Sequence, residues 1–206
     1  MNLIEIMMIM FLQKEYVALS RTVLYIVKIF LYMSLFNWKK LREYSVKRWP
    51  EWMGMTHGIE HWDRVAKFGR LLYKEGADMD VIMAFTYLHD SERENNSYDE
   101  EHGLRASKLI DTIRDTELKE LNDEQIAKLK RACELHTIQH RTGDMTIDIC
   151  FDSDRLDLYR VGILPILERM ATKQGADFVS DSHKYLEFYK EYEEGHIDNS
   201  IVDSGI

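Results

Sequence analysis

Apolar residues recur at three- and four-residue spacing along most of this chain, which is the pattern of amphipathic helices. From about Trp38 onward the pattern is sustained, because few prolines and glycines interrupt it. It predicts an all-α fold, a single helical bundle. The predicted helices are residues 38–47, 57–75, 79–89, 101–113, 123–140, 147–161, 165–173 and 181–193.

Local signals support several of these boundaries. Asn122 with Gln125 three places later resembles a capping box, and Gly76 is suited to the end of a helix. Pro165 is suited to a first helical turn. The stretch 91–101 is polar apart from one tyrosine, so it predicts a loop that leaves from the preceding His-Asp pair. Loops beside a rigid ligand set often contact substrate.

The pattern divides the chain into an extension (1–36), a helical core (37–195) and an acidic tail (196–206). The extension is apolar, but it lacks the ~20 uncharged residues of a membrane span and the features of a secretory signal. Its interrupting charges are Glu5, Lys14, Glu15, Arg21 and Lys28. It is interpreted either as an amphipathic helix that rests on a membrane or partner, or as a non-native extension. The second interpretation is favoured, since Met33 begins a normal domain start.

The formal net charge of -9 and the pI near 5.4 make a nucleic-acid polymer an unfavourable partner. A small phosphorylated substrate is compatible with this charge, because bound metal ions reverse the field locally. Cys133 and Cys150 have no CxxC spacing, which predicts a cytoplasmic protein with two reduced thiols. A membrane partner is disfavoured, and the oligomeric state is left open.

Histidines and aspartates recur in the order H…HD…H…H…D. Imidazoles and carboxylates of this kind could hold two divalent ions if the helices aim them at one interior point. Six of the eight histidines lie between residues 57 and 140. The candidate ligands are His61, His89, Asp90, His102, His136 and Asp154.

Each candidate also has a plain structural interpretation. A single histidine on an amphipathic helix is more often packed or solvent-tipped than a ligand. The acidic run that contains Asp152, Asp154 and Asp157 could be a solvated face, with Arg155 and Arg160 as its partners. The His-Asp pair is different, because it ends the apolar run VIMAFTYL and therefore needs polar partners.

Three segments together resemble the HD-domain metallohydrolase superfamily. HGIEHWDRV is similar to its opening HxxRV helix, YLHD to its His-Asp helix end, and SDRLD to its closing ADRL-like segment. The resemblance covers roughly residues 57–161. It implies His61, His89, Asp90 and Asp154 as ligands of a first metal ion.

Two register choices are open within this resemblance. His57 lies on the same helix face as His61, and Asp152 lies close to Asp154, so either could replace the preferred ligand. HGLRASKL is similar to the HxxxGAxxL helix of the superfamily's dinuclear branch. This implies His102 and, further along, His136 as ligands of a second ion that Asp90 bridges to the first. A mononuclear site is the rival interpretation.

The resemblance implies a metal-dependent phosphohydrolase that cleaves a phosphoester of a small molecule, with nucleotides among the candidates, by a metal-activated water. The ion is Mn, Fe, Mg, Co or Zn. Arg93 is expected to neutralise phosphoryl oxygens, unless it is a solvated loop charge, and Arg64 to orient Asp154. Together with Asp90 these are the candidate catalytic residues. The alternatives are a mixed-valent diiron oxygenase of the same superfamily and a non-catalytic nucleotide-binding module.

Overall fold

The structure is a computed structural model that describes residues 36–54 and 56–193. These residues form eight α-helices and three short 3-10 helices and contain no strand, which confirms the all-α prediction. The predicted acidic tail, and the extension apart from Phe36, lie outside the described residues. None of the described helices has the length and apolar character of a membrane span.

The α-helices are named in chain order. They are α1 (Trp38–Arg48), α2 (Ile59–Leu72), α3 (Met79–Leu88), α4 (His102–Ile113), α5 (Asp123–Leu135), α6 (Met145–Arg155), α7 (Lys173–Ser180) and α8 (Ser182–Glu193). The 3-10 helices are Glu51–Met53, Leu156–Val161 and Leu167–Arg169.

Helix α3 lies in the middle of the bundle, where it contacts α1, α2, α5 and α6. Every residue from Val81 to Leu88 is buried, which explains why this segment is apolar on all sides. Asp78 caps the helix by accepting hydrogen bonds from the backbone N–H groups of Asp80 and Val81. Because α3 is central, the His-Asp pair that follows it emerges inside the protein.

Helix α5 begins as predicted. Asn122 accepts a hydrogen bond from the Gln125 backbone N–H, and the Gln125 side chain accepts one from the Asn122 backbone. The predicted end at residue 140 is too late, since the helix ends at Leu135. Helix α2 also ends earlier than predicted, at Leu72, and Gly76 has a positive φ of 97° in the loop that follows.

The predicted helix 165–173 is wrong. Pro165 lies in irregular backbone, and the next α-helix is α7. A residue of α6 stabilises the start of α7. The buried Asp152 carboxylate accepts hydrogen bonds from the backbone N–H groups of Ala171 and Thr172, just before the helix. Thr172 then caps the helix through its hydroxyl, which accepts from the Gly175 N–H.

Candidate metal centre

Five helices contribute to one buried cluster of imidazoles and carboxylates. Helix α2 carries His61, the residues after α3 are His89 and Asp90, α4 begins with His102, and α5 is followed by His136. Asp154, near the end of α6, completes the set. The six ligands predicted from the sequence are therefore brought together in the bundle interior.

The first ligand group is built around His61. Its Nε2 lies 3.1 Å from His89 Nε2, 3.4 Å from Asp154 Oδ1 and 3.5 Å from Asp90 Oδ2. His89 Nε2 lies 3.7 Å from each of the same two carboxylate oxygens. Ligands of one ion at about 2.0–2.2 Å are at most about 4.4 Å apart. These four atoms therefore have the spacing of a coordination sphere.

The second group uses the other oxygen of Asp90. Its Oδ1 lies 3.0 Å from His102 Nε2 and 4.0 Å from His136 Nε2, and the two imidazole nitrogens are 2.9 Å apart. Asp90 thus presents Oδ2 to one group and Oδ1 to the other, as a bridging carboxylate would. Among the described residues, the ligand atoms of His61, His89 and Asp90 all lie within 4.8 Å of one another, and so do those of Asp90, His102 and His136.

A close approach of α4 to the segment after α5 makes the second group possible. A Cβ atom on Gly103 would lie 2.2 Å from the Cys133 carbonyl oxygen, so no other residue fits there without a backbone shift. The neighbouring His102 and the His136 ring are brought into contact at this point. Gly103 therefore has a packing role that spacing along the chain does not reveal.

The hydrogen bonds at Nδ1 determine the tautomer of each ring. His89 Nδ1 lies 3.1 Å from the Phe85 carbonyl, and His136 Nδ1 lies 2.7 Å from the Cys133 carbonyl. His102 Nδ1 contacts the Asp99 carbonyl in the same way. A carbonyl oxygen only accepts, so Nδ1 must carry the proton in each ring. In its neutral form, each ring therefore directs the Nε2 lone pair into the cluster.

The resulting centre holds converging acceptors and is well suited to cations. Burial opposes ionisation of Asp90 and Asp154, but the surrounding imidazoles hold the pKa of both carboxyls well below the usual range. Burial and Arg160 disfavour the charged form of His61, yet its hydrogen bonds to Asp154, Asp157 and Asp90 outweigh them and raise its pKa to about 9. Burial lowers the pKa of His136 to about 4, so that ring stays a neutral ligand.

Asp157 belongs to the cluster, although the sequence did not single it out as a site residue. It is fully buried and accepts hydrogen bonds from His61 Nδ1 at 2.7 Å, Arg64 Nε at 2.6 Å and Tyr189 Oη at 2.5 Å. It therefore fixes the tautomer and orientation of His61, as carboxylates behind metal-binding histidines do. The sequence did carry one signal for this role. Asp157 follows Asp154 by three residues, a spacing that places two side chains on the same helix face.

This geometry changes the expected role of Arg64. The sequence predicts that Arg64 orients Asp154, whereas the structure places its guanidinium on Asp157. Arg64 thus acts on the cluster through Asp157 and His61. The alternative interpretation of the acidic run as a solvated face is wrong, because Asp152 and Asp157 are both fully buried.

The structure distinguishes the residues of each register choice. The Asp152 carboxylate accepts hydrogen bonds from the backbone at the start of α7, so it does not face the cluster. Asp154 faces His61 and His89. His57 Nδ1 lies 3.0 Å from Asp90 Oδ2 at the edge of the cluster, and its side chain is 15% exposed. The Asp154 side chain is 20% exposed. The cluster therefore approaches solvent on the side of His57 and Asp154.

Arg93 lies inside the site, so it is not a solvated loop charge. Its Nη1 is 3.2 Å from Asp90 Oδ1 and 3.3 Å from His102 Nε2, and its side chain is 8% exposed. On the opposite side of the cluster, Arg160 Nη2 lies 3.4 Å from His57 Nδ1. Two guanidinium groups therefore flank the ligand atoms.

No family model matches the chain, and no curated protein or solved structure matches it either. The metal-binding interpretation therefore rests on the positions of the ligand atoms. Among the described residues, a helical bundle encloses a buried His/Asp cluster that is compatible with an HD-type metal site.

Proposed function

We propose that this protein is a metal-dependent phosphohydrolase of the HD type. Its substrate is a small phosphorylated compound, and nucleotides are among the candidates. The observation that carries the proposal is the sharing of Asp90 between two imidazole-rich groups, with Oδ2 facing His61 and His89 and Oδ1 facing His102. A carboxylate placed in this way suits two divalent ions that act on one phosphoryl group.

Divalent ions in these groups would supply a water of lowered pKa and neutralise the charge of phosphoryl oxygens. The surrounding side chains have separate tasks. Asp157 and Arg64 hold the His61 ring so that Nε2 faces the cluster. His57 lies at the more exposed edge, where its Nδ1 is 3.0 Å from Asp90 Oδ2, and the positive charge of Arg160 lies beside it. Arg93 lies beside the second group and is our further candidate for a phosphoryl contact.

One feature favours a phosphoryl substrate over a neutral one. The cluster is flanked by the guanidinium groups of Arg93 and Arg160, and such groups match the oxygens of a phosphate. The ligands are imidazoles and carboxylates without a thiolate, which suits Mn, Fe, Mg, Co or Zn.

The experiment is elemental analysis of the anaerobically purified full chain, followed by a phosphate-release screen over small phosphorylated compounds with the metal that it contains. Asp90→Asn is the test variant, because its neutral amide removes the shared anion. It is expected to lose turnover and most bound metal while the helical circular-dichroism signal persists. Normal turnover and metal content in Asp90→Asn would overturn the proposal.

A further inference from the structure

Arg93 contacts the same atoms that define the second ligand group. Nη1 lies 3.2 Å from Asp90 Oδ1 and 3.3 Å from His102 Nε2. Together with His136 Nε2, these two atoms form that group. Nη1 is almost as close to His102 Nδ1, at 3.4 Å, so it lies against the ring and not on the Nε2 lone pair. A guanidinium N–H and a metal ion both need the lone pair of Asp90 Oδ1, and their positive charges repel. The two cations therefore compete for the same positions.

The loop between α3 and α4 holds the guanidinium in this position. Arg93 Nη2 donates to the Ser97 carbonyl at 2.8 Å, and Nε lies 3.4 Å from the Asn95 carbonyl. Arg105 ties the same loop to α4 by hydrogen bonds to Asp99 and to the Glu92 carbonyl. The arginine stays charged at any ordinary pH. A permanent positive charge therefore lies beside the second group.

The two groups are unequal in negative charge. The first contains the carboxylates of Asp90 and Asp154. Behind its His61 ligand lies Asp157, whose charge is balanced by Arg64 and Arg160. The second has one oxygen of Asp90 and two imidazoles, with the positive charge of Arg93 beside it. A divalent ion is therefore held more strongly by the first group than by the second.

We propose that Arg93 sets the metal stoichiometry of this centre by competing with the second ion for Asp90 Oδ1. The first group binds its ion tightly, and the second group takes an ion only when the guanidinium moves away from Asp90. This inference rests on the metal centre of the proposed function, but it is independent of the substrate and of turnover.

The test is a titration of the metal-stripped full chain with Mn²⁺, in which electron paramagnetic resonance measures free and bound ion. The wild type is expected to bind one Mn²⁺ tightly and a second weakly. Arg93→Gln should tighten the second site at least about tenfold, with little change at the first. The doubly loaded variant should show the spectrum of a spin-coupled pair. Arg93→Lys keeps the charge and should stay close to the wild type.

Two control variants separate charge competition from other effects. Arg114→Gln makes the same change of net charge at an ion pair with Asp123, outside the cluster. Arg105→Gln loosens the loop without removing the charge beside Asp90. Arg114→Gln should retain both wild-type affinities. Arg105→Gln should tighten the second site by less than Arg93→Gln, because the guanidinium moves away from Asp90 more easily but keeps its charge. If Arg93→Gln does not fold, Arg93→Met provides a second neutral variant of similar length.

The outcomes are distinguishable. A wild type that binds no Mn²⁺ at all would contradict the metal centre and with it the proposed function. One tight ion in the wild type, with no gain at the second site in a folded neutral variant, would overturn the role of Arg93 alone. Equal tight binding of two ions in the wild type, or an equal gain in Arg114→Gln, would overturn it as well.

Discussion

Asp157→Asn tests whether the carboxylate behind His61 controls metal affinity. Asp157 accepts from His61, Arg64 and Tyr189 in a fully buried position. The amide is neutral and nearly the same size, so the substitution removes charge with little change of volume. Loss of such a partner lowers metal affinity about 10- to 100-fold.

The lower metal affinity can be expressed as a smaller stabilisation of the folded state by metal. At a metal concentration of about 100 times the wild-type Kd, binding stabilises the folded state by about 2.7 kcal/mol. With a Kd that is 10- to 100-fold weaker, the same concentration contributes only about 1.4 to 0.4 kcal/mol. The metal-free variant is also less stable, because removal of one partner from a buried ion pair costs about 3–5 kcal/mol. We expect a loss of stability at the lower end of this range, because the Arg64 side chain is 10% exposed and water can partly solvate its unpaired charge.

Asp152→Asn is the matched control. Asp152 is an equally buried carboxylate in α6, five residues before Asp157, and it accepts hydrogen bonds from the Ala171 and Thr172 N–H groups and the Thr172 hydroxyl. The amide of Asp152→Asn has one acceptor oxygen fewer, so it leaves buried N–H or O–H donors unpaired. Each unpaired donor lowers the free energy of unfolding by about 1–3 kcal/mol. It should therefore destabilise the fold without weakening the metal site.

The assay is chemical denaturation with and without Mn²⁺, combined with direct Mn²⁺ titration of the folded variants. Both variants should unfold at lower denaturant concentration than the wild type. Only Asp157→Asn should lose metal affinity and metal-induced stabilisation. Unchanged Mn²⁺ affinity in Asp157→Asn, or an equal loss in Asp152→Asn, would refute the assignment of Asp157 to the metal centre.

Three further predictions follow from the same geometry. His102→Ala and His136→Ala should each abolish the weaker Mn²⁺ site and leave the tighter one, measured by titration; loss of both ions would contradict two separate groups. Phosphate release should proceed equally under argon and incorporate labelled oxygen from water, whereas strict dependence on iron and dioxygen would indicate the diiron oxygenase. Burial raises the pKa of the Cys133 and Cys150 thiols, so a thiol reagent at pH 8 should modify them only as fast as the protein opens, and metal should slow that reaction.

The sequence by itself determined the features that depend on local spacing. The apolar period predicts the helices, and the capping pair Asn122 and Gln125 predicts the start of α5. The all-apolar segment before His89 and Asp90 predicts a buried helix whose polar end needs partners. Such features are readable because backbone geometry relates residues that are three or four positions apart.

Only the tertiary structure decided which groups meet across helices. In the structure, Asp154 lies beside His61, and Asp152 accepts a hydrogen bond from the backbone before α7. Asp157 accepts hydrogen bonds from both His61 and Arg64. Helical periodicity does not encode these pairings, because they depend on how separate helices pack and how closely their backbones approach. The contact of α4 with the segment after α5 at Gly103 is such a case, since a missing Cβ there lets two distant histidines share one carboxylate.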